Sequence, residues 1–111
     1  MVAAALVTAC GGGDSSPTPP TNKTIDVSAS FGDAFLPTFT TVSAGDTVRW
    51  AFGGGSDGNG HNVRFTPVIP GTPADINVMK SGTATRVFTT KGDFKYVCDV
   101  HPGMQGEVIV Q

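Results

Sequence analysis

Charge is scarce in this chain: seven Lys or Arg and nine Asp or Glu in 111 residues, for a net charge of −2. The basic residues are scattered and never clustered. That excludes the electrostatic footprint of a nucleic-acid binder, so no nucleic-acid partner is expected. Long apolar runs are also missing. The stretch Val2 to Ala9 is about half of the ~20 residues a membrane-crossing helix needs. Histidine is limited to His61 and His101, and cysteine to Cys10 and Cys98. With so few titratable side chains there is no acid/base constellation of the kind a catalytic centre requires, and an enzyme is not expected. At this length the chain holds one domain at most.

Glycine, with 15 residues, is abundant, and the short apolar segments between glycines and prolines alternate with polar residues. That pattern favours many short strands joined by turns. Ile25 to Ala29, Phe39 to Val42, Thr47 to Phe52, His61 to Thr66, Thr83 to Thr89, Phe94 to Cys98 and Gly106 to Val110 all read as half-buried strands. Ser43 to Asp46 and Lys91 to Asp93 carry turn chemistry, and Gly53 to Gly60 is a glycine-rich loop. Thr66 to Gly82 is irregular and receives no strand, with Met79 read as a packing residue. About seven strands in some ninety residues imply an all-β, two-sheet antiparallel sandwich. Residues two apart in a strand share a face. His61 therefore points with Val63, and Cys98 with Tyr96, toward one end of the core.

The segment Cys98-Asp-Val-His101-Pro-Gly-Met104 places a thiolate, an imidazole and a thioether on one tight loop. Soft sulfur suits Cu(I) and imidazole suits both copper oxidation states, whereas one thiolate with a thioether is a poor zinc set. A trigonal His₂Cys site with a weak axial Met needs one more imidazole. His61, in Gly60-His61-Asn62-Val63, is the remaining histidine. Taken singly, Cys98 reads as a buried thiol and Met104 as core filler; it is their conjunction with both histidines that points to one copper ion.

These residues resemble the cupredoxins of the plastocyanin/amicyanin kind. Gly45-Asp46-Thr47-Val48-Arg49-Trp50 resembles an early strand pair of that family, and His61-Asn62-Val63-x-Phe65 its first ligand strand. Gly92-x-Phe94-x-Tyr96-x-Cys98-x-x-His101-Pro102-Gly103-Met104-x-Gly106-x-Val108 resembles its C-terminal signature, with the short amicyanin-like gap between His101 and Met104. The resemblance implies Greek-key connectivity and one-electron transfer through copper. It implies His61 Nδ1, Cys98 Sγ and His101 Nδ1 as strong ligands and Met104 Sδ as a long axial one. Asn62 would tie the two ligand loops together. Pro102, which lacks a backbone donor, would stiffen the loop after His101. Transient redox partners would dock at an exposed His101 edge ringed by Pro102, Gly103, Gly60 and Leu36 or Phe35. The resemblance further implies that His101 protonates and leaves copper in the reduced state.

Three departures from the family qualify this. Val97 stands where plant plastocyanins carry a docking tyrosine, Phe94 replaces a common tyrosine, and Asp99 would lower the potential by its charge. A copper storage or delivery module uses the same ligands and stays open as the alternative to an electron carrier.

Val7-Thr8-Ala9-Cys10 resembles a bacterial lipoprotein cleavage box, although no Lys or Arg precedes the apolar run. Residues 1–9 are then a signal segment and Cys10 a lipid attachment site. Residues 10–22 are a flexible Gly/Pro/Ser/Thr tether, and 23–111 are the copper-binding domain. A Cys10–Cys98 disulfide is rejected, because one cysteine takes the lipid and the other serves as thiolate. The expectation is an exported monomer, periplasmic or at the cell surface, anchored by lipid to a bacterial membrane.

Overall fold

A computed structural model describes residues 22–30 and 32–111. The signal segment, Cys10 and nearly all of the tether lie outside the described residues. Eight strands follow in chain order: β1 Thr24–Ala29, β2 Phe39–Val42, β3 Asp46–Phe52, β4 His61–Phe65, β5 Ile76–Met79, β6 Thr83–Phe88, β7 Gly92–Val97 and β8 Gln105–Val110. They form a three-stranded sheet in the order β1-β3-β6 and a five-stranded sheet in the order β2-β8-β7-β4-β5.

The all-β sandwich is as the alternation implies, with two differences. The sheets are mixed, because β1 pairs parallel to β3 and β2 parallel to β8, while the other pairings are antiparallel. Period-2 alternation fixes which face a side chain takes but not the direction of the neighbouring strand. The second difference is β5, a strand inside the segment 66–82 that reads as irregular. It is an edge strand on β4, with Ile76 buried and Asn77 and Val78 exposed. So short and lopsided a pattern carries no alternation signal. Met79 packs partly buried against the core, as a packing residue should.

Aromatic side chains close the two sheets on each other. Trp50 of β3 meets Tyr96 of β7 edge-to-face with centroids 5.5 Å apart, and Phe65 of β4 at 6.2 Å. Phe88 of β6 meets Phe94 of β7 at 5.5 Å. Such pairs fix ring orientation beyond what burial alone achieves. Asp46, buried at the turn into β3, accepts hydrogen bonds from the Lys23 and Ser43 backbone N–H groups, both at 2.9 Å. These donors hold its carboxyl below the usual carboxylate range and tie the entry to β1 onto the β2–β3 turn.

This frame positions the site. His61 opens β4, Cys98 directly follows β7, and Met104 directly precedes β8, all at one end of the sandwich. Strand β7 lies between β4 and β8 in the sheet, so the three segments that carry these residues are neighbours.

Candidate metal centre

The His61 and His101 ring nitrogens and Cys98 Sγ lie within 4.8 Å of one another, and all three residues are buried. Cys98 Sγ stands 3.9 Å from His61 Nδ1 and 3.8 Å from His101 Nδ1. Metal–thiolate and metal–imidazole bonds of ~2.3 and ~2.0 Å, opened to a trigonal angle, would separate sulfur from nitrogen by about 3.7 Å. The donor set and its spacing therefore fit one soft metal ion held by both imidazoles and the thiolate.

The backbone explains the convergence. Phe65 pairs with Tyr96 and Arg64 with Val97 across β4 and β7. Continuing that register sets Asn62 opposite Asp99. The Asn62 side chain fixes this position twice: Asp99 N–H donates to Asn62 Oδ1 at 2.7 Å, and Asn62 Nδ2 donates to Asp99 Oδ2 at 2.9 Å. The ligand loop closes on itself through Met104 N–H to His101 O at 3.1 Å and Cys98 N–H to Met104 O at 2.9 Å. Met104 is buried beside this loop, and Pro102 and Gly103 form its exposed tip.

Two expectations about the rim are corrected. Phe35 and Gly60 are buried and ring no surface, while Leu36 is half exposed. The His101 edge is not open either: His101 is only 7 % exposed. Its Nε2 lies 2.9 Å from Asp57 Oδ1 and 3.4 Å from Asp33 Oδ1. The glycine-rich loop between β3 and β4 curls over both imidazoles, with Gly55 against them and Asp57 at the outer edge. Sequence reasoning missed Asp57; the one signal available is that it is the sole charged residue of Gly53 to Gly60, the loop that leads into His61. The expected effect of Asp99 on the potential is likewise offset. Its carboxylate pairs with Arg64 Nε at 2.8 Å and does not stand as an uncompensated charge beside the thiolate.

The surroundings shift the two imidazoles in opposite directions. Burial, then the neighbouring His101, pushes His61 below the ordinary value of 6.5. The hydrogen bond to Asp57, then that to Cys98, lifts His101 above 6.5. His101 thus contributes stability that is full below 6.5 and fades as pH rises through its folded-state midpoint. His61 contributes in the opposite sense, losing stability as pH falls below 6.5. Ring-proton NMR of the metal-free domain should show two resolved midpoints, His101 above and His61 below. Coincident midpoints would contradict this electrostatic asymmetry.

An all-β sandwich with buried His, Cys and His donors gathered at one end defines a cupredoxin. Residues 24–111 match the family described as copper binding proteins, plastocyanin/azurin family. The chain belongs to that family, and its cofactor is copper.

The chain is 35 % identical to amicyanin of Paracoccus versutus over 79 residues, covering 69 % of this chain and 58 % of that protein. It is 33 % identical to chloroplastic plastocyanin of Tetradesmus obliquus over 89 residues, with the same coverages of 69 % and 58 %. The chain thus spans little more than half the length of these relatives. Among solved structures, an oxidised amicyanin variant superposes with a TM-score of 0.65 at 28 % identity, covering 78 % of this chain and 81 % of that one. A copper-containing nitrite reductase from Thermus scotoductus gives a TM-score of 0.68 at 23 % identity, covering 85 % of this chain and 23 % of the enzyme. That last likeness is one of fold alone.

Proposed function

We propose that this chain is a blue copper electron carrier, in which His61 Nδ1, Cys98 Sγ and His101 Nδ1 would hold the metal and Met104 Sδ would add a weaker contact. The observation that carries the reading is the convergence of two buried imidazoles on one buried thiolate at trigonal spacing. Copper supplies a one-electron Cu(I)/Cu(II) couple when bound. The chain's own part is to keep the donors fixed while the electron arrives and leaves. Sheet pairing holds His61, the Asn62–Asp99 hydrogen bonds lock the two ligand loops together, and the loop bonds of His101 and Met104 limit rearrangement. Small rearrangement keeps outer-sphere transfer fast, and no substrate bond is made or broken.

Matches to amicyanin and plastocyanin along the sequence support a carrier rather than an enzyme. The reading includes brief docking of redox proteins near His101, a monomer, and an exported location with a lipid on Cys10. Support for the last is the Val7-Thr8-Ala9-Cys10 box and the Gly/Pro/Ser/Thr-rich segment after it.

The test is a Cu(II) titration of the purified domain followed by visible absorption and voltammetry. An intense visible charge-transfer band at one copper per chain, bleached by ascorbate and restored by an oxidant, is the expected result. A pale spectrum with slow, irreversible redox would overturn the carrier, and ready surrender of Cu(I) to a chelator would favour storage or delivery.

A further inference from the structure

The metal-facing nitrogen of His101 is one of two, and a ligand histidine whose other nitrogen is left free can present either tautomer. Here that other nitrogen is engaged. Nε2 lies 2.9 Å from Asp57 Oδ1, while Nδ1 lies 3.8 Å from Cys98 Sγ. An ionised carboxylate only accepts hydrogen bonds, so Nε2 carries the proton and Nδ1 of the neutral ring presents its lone pair.

Asp57 is itself held in place. Asn59 donates to it twice, from its backbone N–H to Oδ1 and from Nδ2 to Oδ2, both at 3.0 Å. The preceding residue, Ser56, is pinned by Asp33 through backbone N–H to Oδ1 at 3.1 Å and Oγ to Oδ2 at 2.7 Å. Gly60 N–H to Gly54 O at 2.8 Å closes the loop behind it. None of these bonds belongs to a sheet ladder. Together they bring the Asp57 carboxylate within hydrogen-bond distance of His101 Nε2, with Asp33 Oδ1 farther off at 3.4 Å.

We propose that Asp57 is a positioning residue for the copper site: it fixes His101 in the Nε2–H tautomer, turns Nδ1 to the metal, and enriches the imidazole so that Cu(II) is favoured over Cu(I). Carboxylate partners of ligand histidines raise ligand basicity and fix ring orientation. The greater basicity acts most on the more highly charged ion, so the carboxylate depresses the reduction potential. The same contact makes the outer surface over His101 a carboxylate rather than bare imidazole. The proposal rests on His101 Nδ1 being a ligand, as proposed above, but its first half concerns the ring alone and is measurable without copper.

The experiment compares wild type with Asp57→Asn, Asp57→Ala and Asp33→Ala/Asp57→Ala. Long-range ¹⁵N–¹H NMR of metal-free protein, at a pH where His101 is neutral, reads the tautomer. Wild type should show Nε2–H alone. Asp57→Asn keeps an accepting oxygen and should keep that tautomer. Asp57→Ala should give a mixture, and the double variant secures the result should Asp33 step in at Nε2.

Copper-loaded protein then reads the second half. Loss of the charge should weaken Cu(II) relative to Cu(I) about tenfold, a rise in potential of about 59 mV for a one-electron couple. Asp57→Asn should separate the two effects, with tautomer retained and potential raised, a split that a merely structural loop residue would not produce. An unchanged tautomer in the double variant, or a potential indifferent to Asp57, overturns the proposal. Failure of wild type to bind copper would sink the carrier reading while leaving the tautomer result to decide the role of Asp57 at the ring.

Discussion

Gly55→Ala is expected to weaken copper binding about tenfold to a hundredfold, the range seen when groups that orient metal ligands are disturbed. A Cβ on Gly55 would lie 2.9 Å from both Cε1 and Nε2 of His61 and 3.1 Å from Cε1 of His101, where ordinary contact begins at 3.4 Å. His61 is fully buried and has nowhere to retreat. Either the rings turn, which moves their metal-facing nitrogens, or the loop lifts and takes Asp57 off His101. Both outcomes degrade the site.

Gly55 also has a φ of +77°, so alanine there carries backbone strain as well. Gly58 separates the two effects: its φ is +75° and a Cβ on it would meet nothing within 4 Å. Gly58→Ala therefore imposes the strain without the collision and should bind copper close to wild type. Competition titration against a chelator of known affinity, with the intensity of the visible band as a second readout, checks both variants. Equal losses in the two would show that backbone strain matters and the contact with the histidines does not.

Gly55 marks the boundary of what the chain discloses without coordinates. Strand periodicity and the Cys98-x-x-His101-x-x-Met104 spacing are local, and a local pattern survives reading in one dimension. The sandwich and the Cys98 and His101 members of the buried trio were legible for that reason, and His61 because it is the remaining histidine. That Asn62 ties the two loops was legible from the family resemblance; that Asp99 is its partner was not.

What was not legible depends on chain folding back over itself. Gly53 to Gly60 has no periodicity, so nothing in it announces that Gly55 packs on two imidazoles or that Asp57 reaches one of them. Asp33, 24 residues before Asp57, joins the same corner through Ser56 and by lying 3.4 Å from His101 Nε2. Arg64 pairs with Asp99 from the neighbouring strand, which offsets the charge that Asp99 alone would place there. β5 was missed because an edge strand with one buried residue has almost no hydrophobic signature. The parallel pairings were missed because alternation is blind to strand direction.

Gly106→Ala should damage the fold itself, costing about 1–3 kcal/mol through overpacking. Gly106 pairs with Tyr96 across β7 and β8, and a Cβ on it would fall 2.4 Å from Tyr96 Cζ and 2.5 Å from its hydroxyl oxygen. The Tyr96 ring cannot step aside. Phe35 stands against it at 4.7 Å, Trp50 at 5.5 Å and Phe65 at 5.8 Å, each near edge-to-face. The phenol is fully buried, and burial pushes its pKa up to about 12, so ionisation offers no relief at ordinary pH.

Gly106 does not use the left-handed region, so alanine meets no backbone penalty there. By itself Gly→Ala at such a position should stabilise by roughly 0.4–1 kcal/mol through the unfolded chain. The sign of the measured effect therefore reports the collision directly. Urea unfolding of metal-free wild type, Gly106→Ala, Tyr96→Leu and the double variant forms a cycle that isolates it. Tyr96→Leu alone destabilises by leaving a cavity. In that background Gly106→Ala should become neutral or favourable, because the atoms it strikes are gone. A Gly106→Ala loss that persists unchanged beside Tyr96→Leu would place the strain elsewhere in β8. Since Tyr96 lies two residues before Cys98 on the same side of the chain, a displaced ring also shifts the thiolate. The copper band of Gly106→Ala should therefore change in position as well as in thermal range, linking core packing to ligand placement through β7.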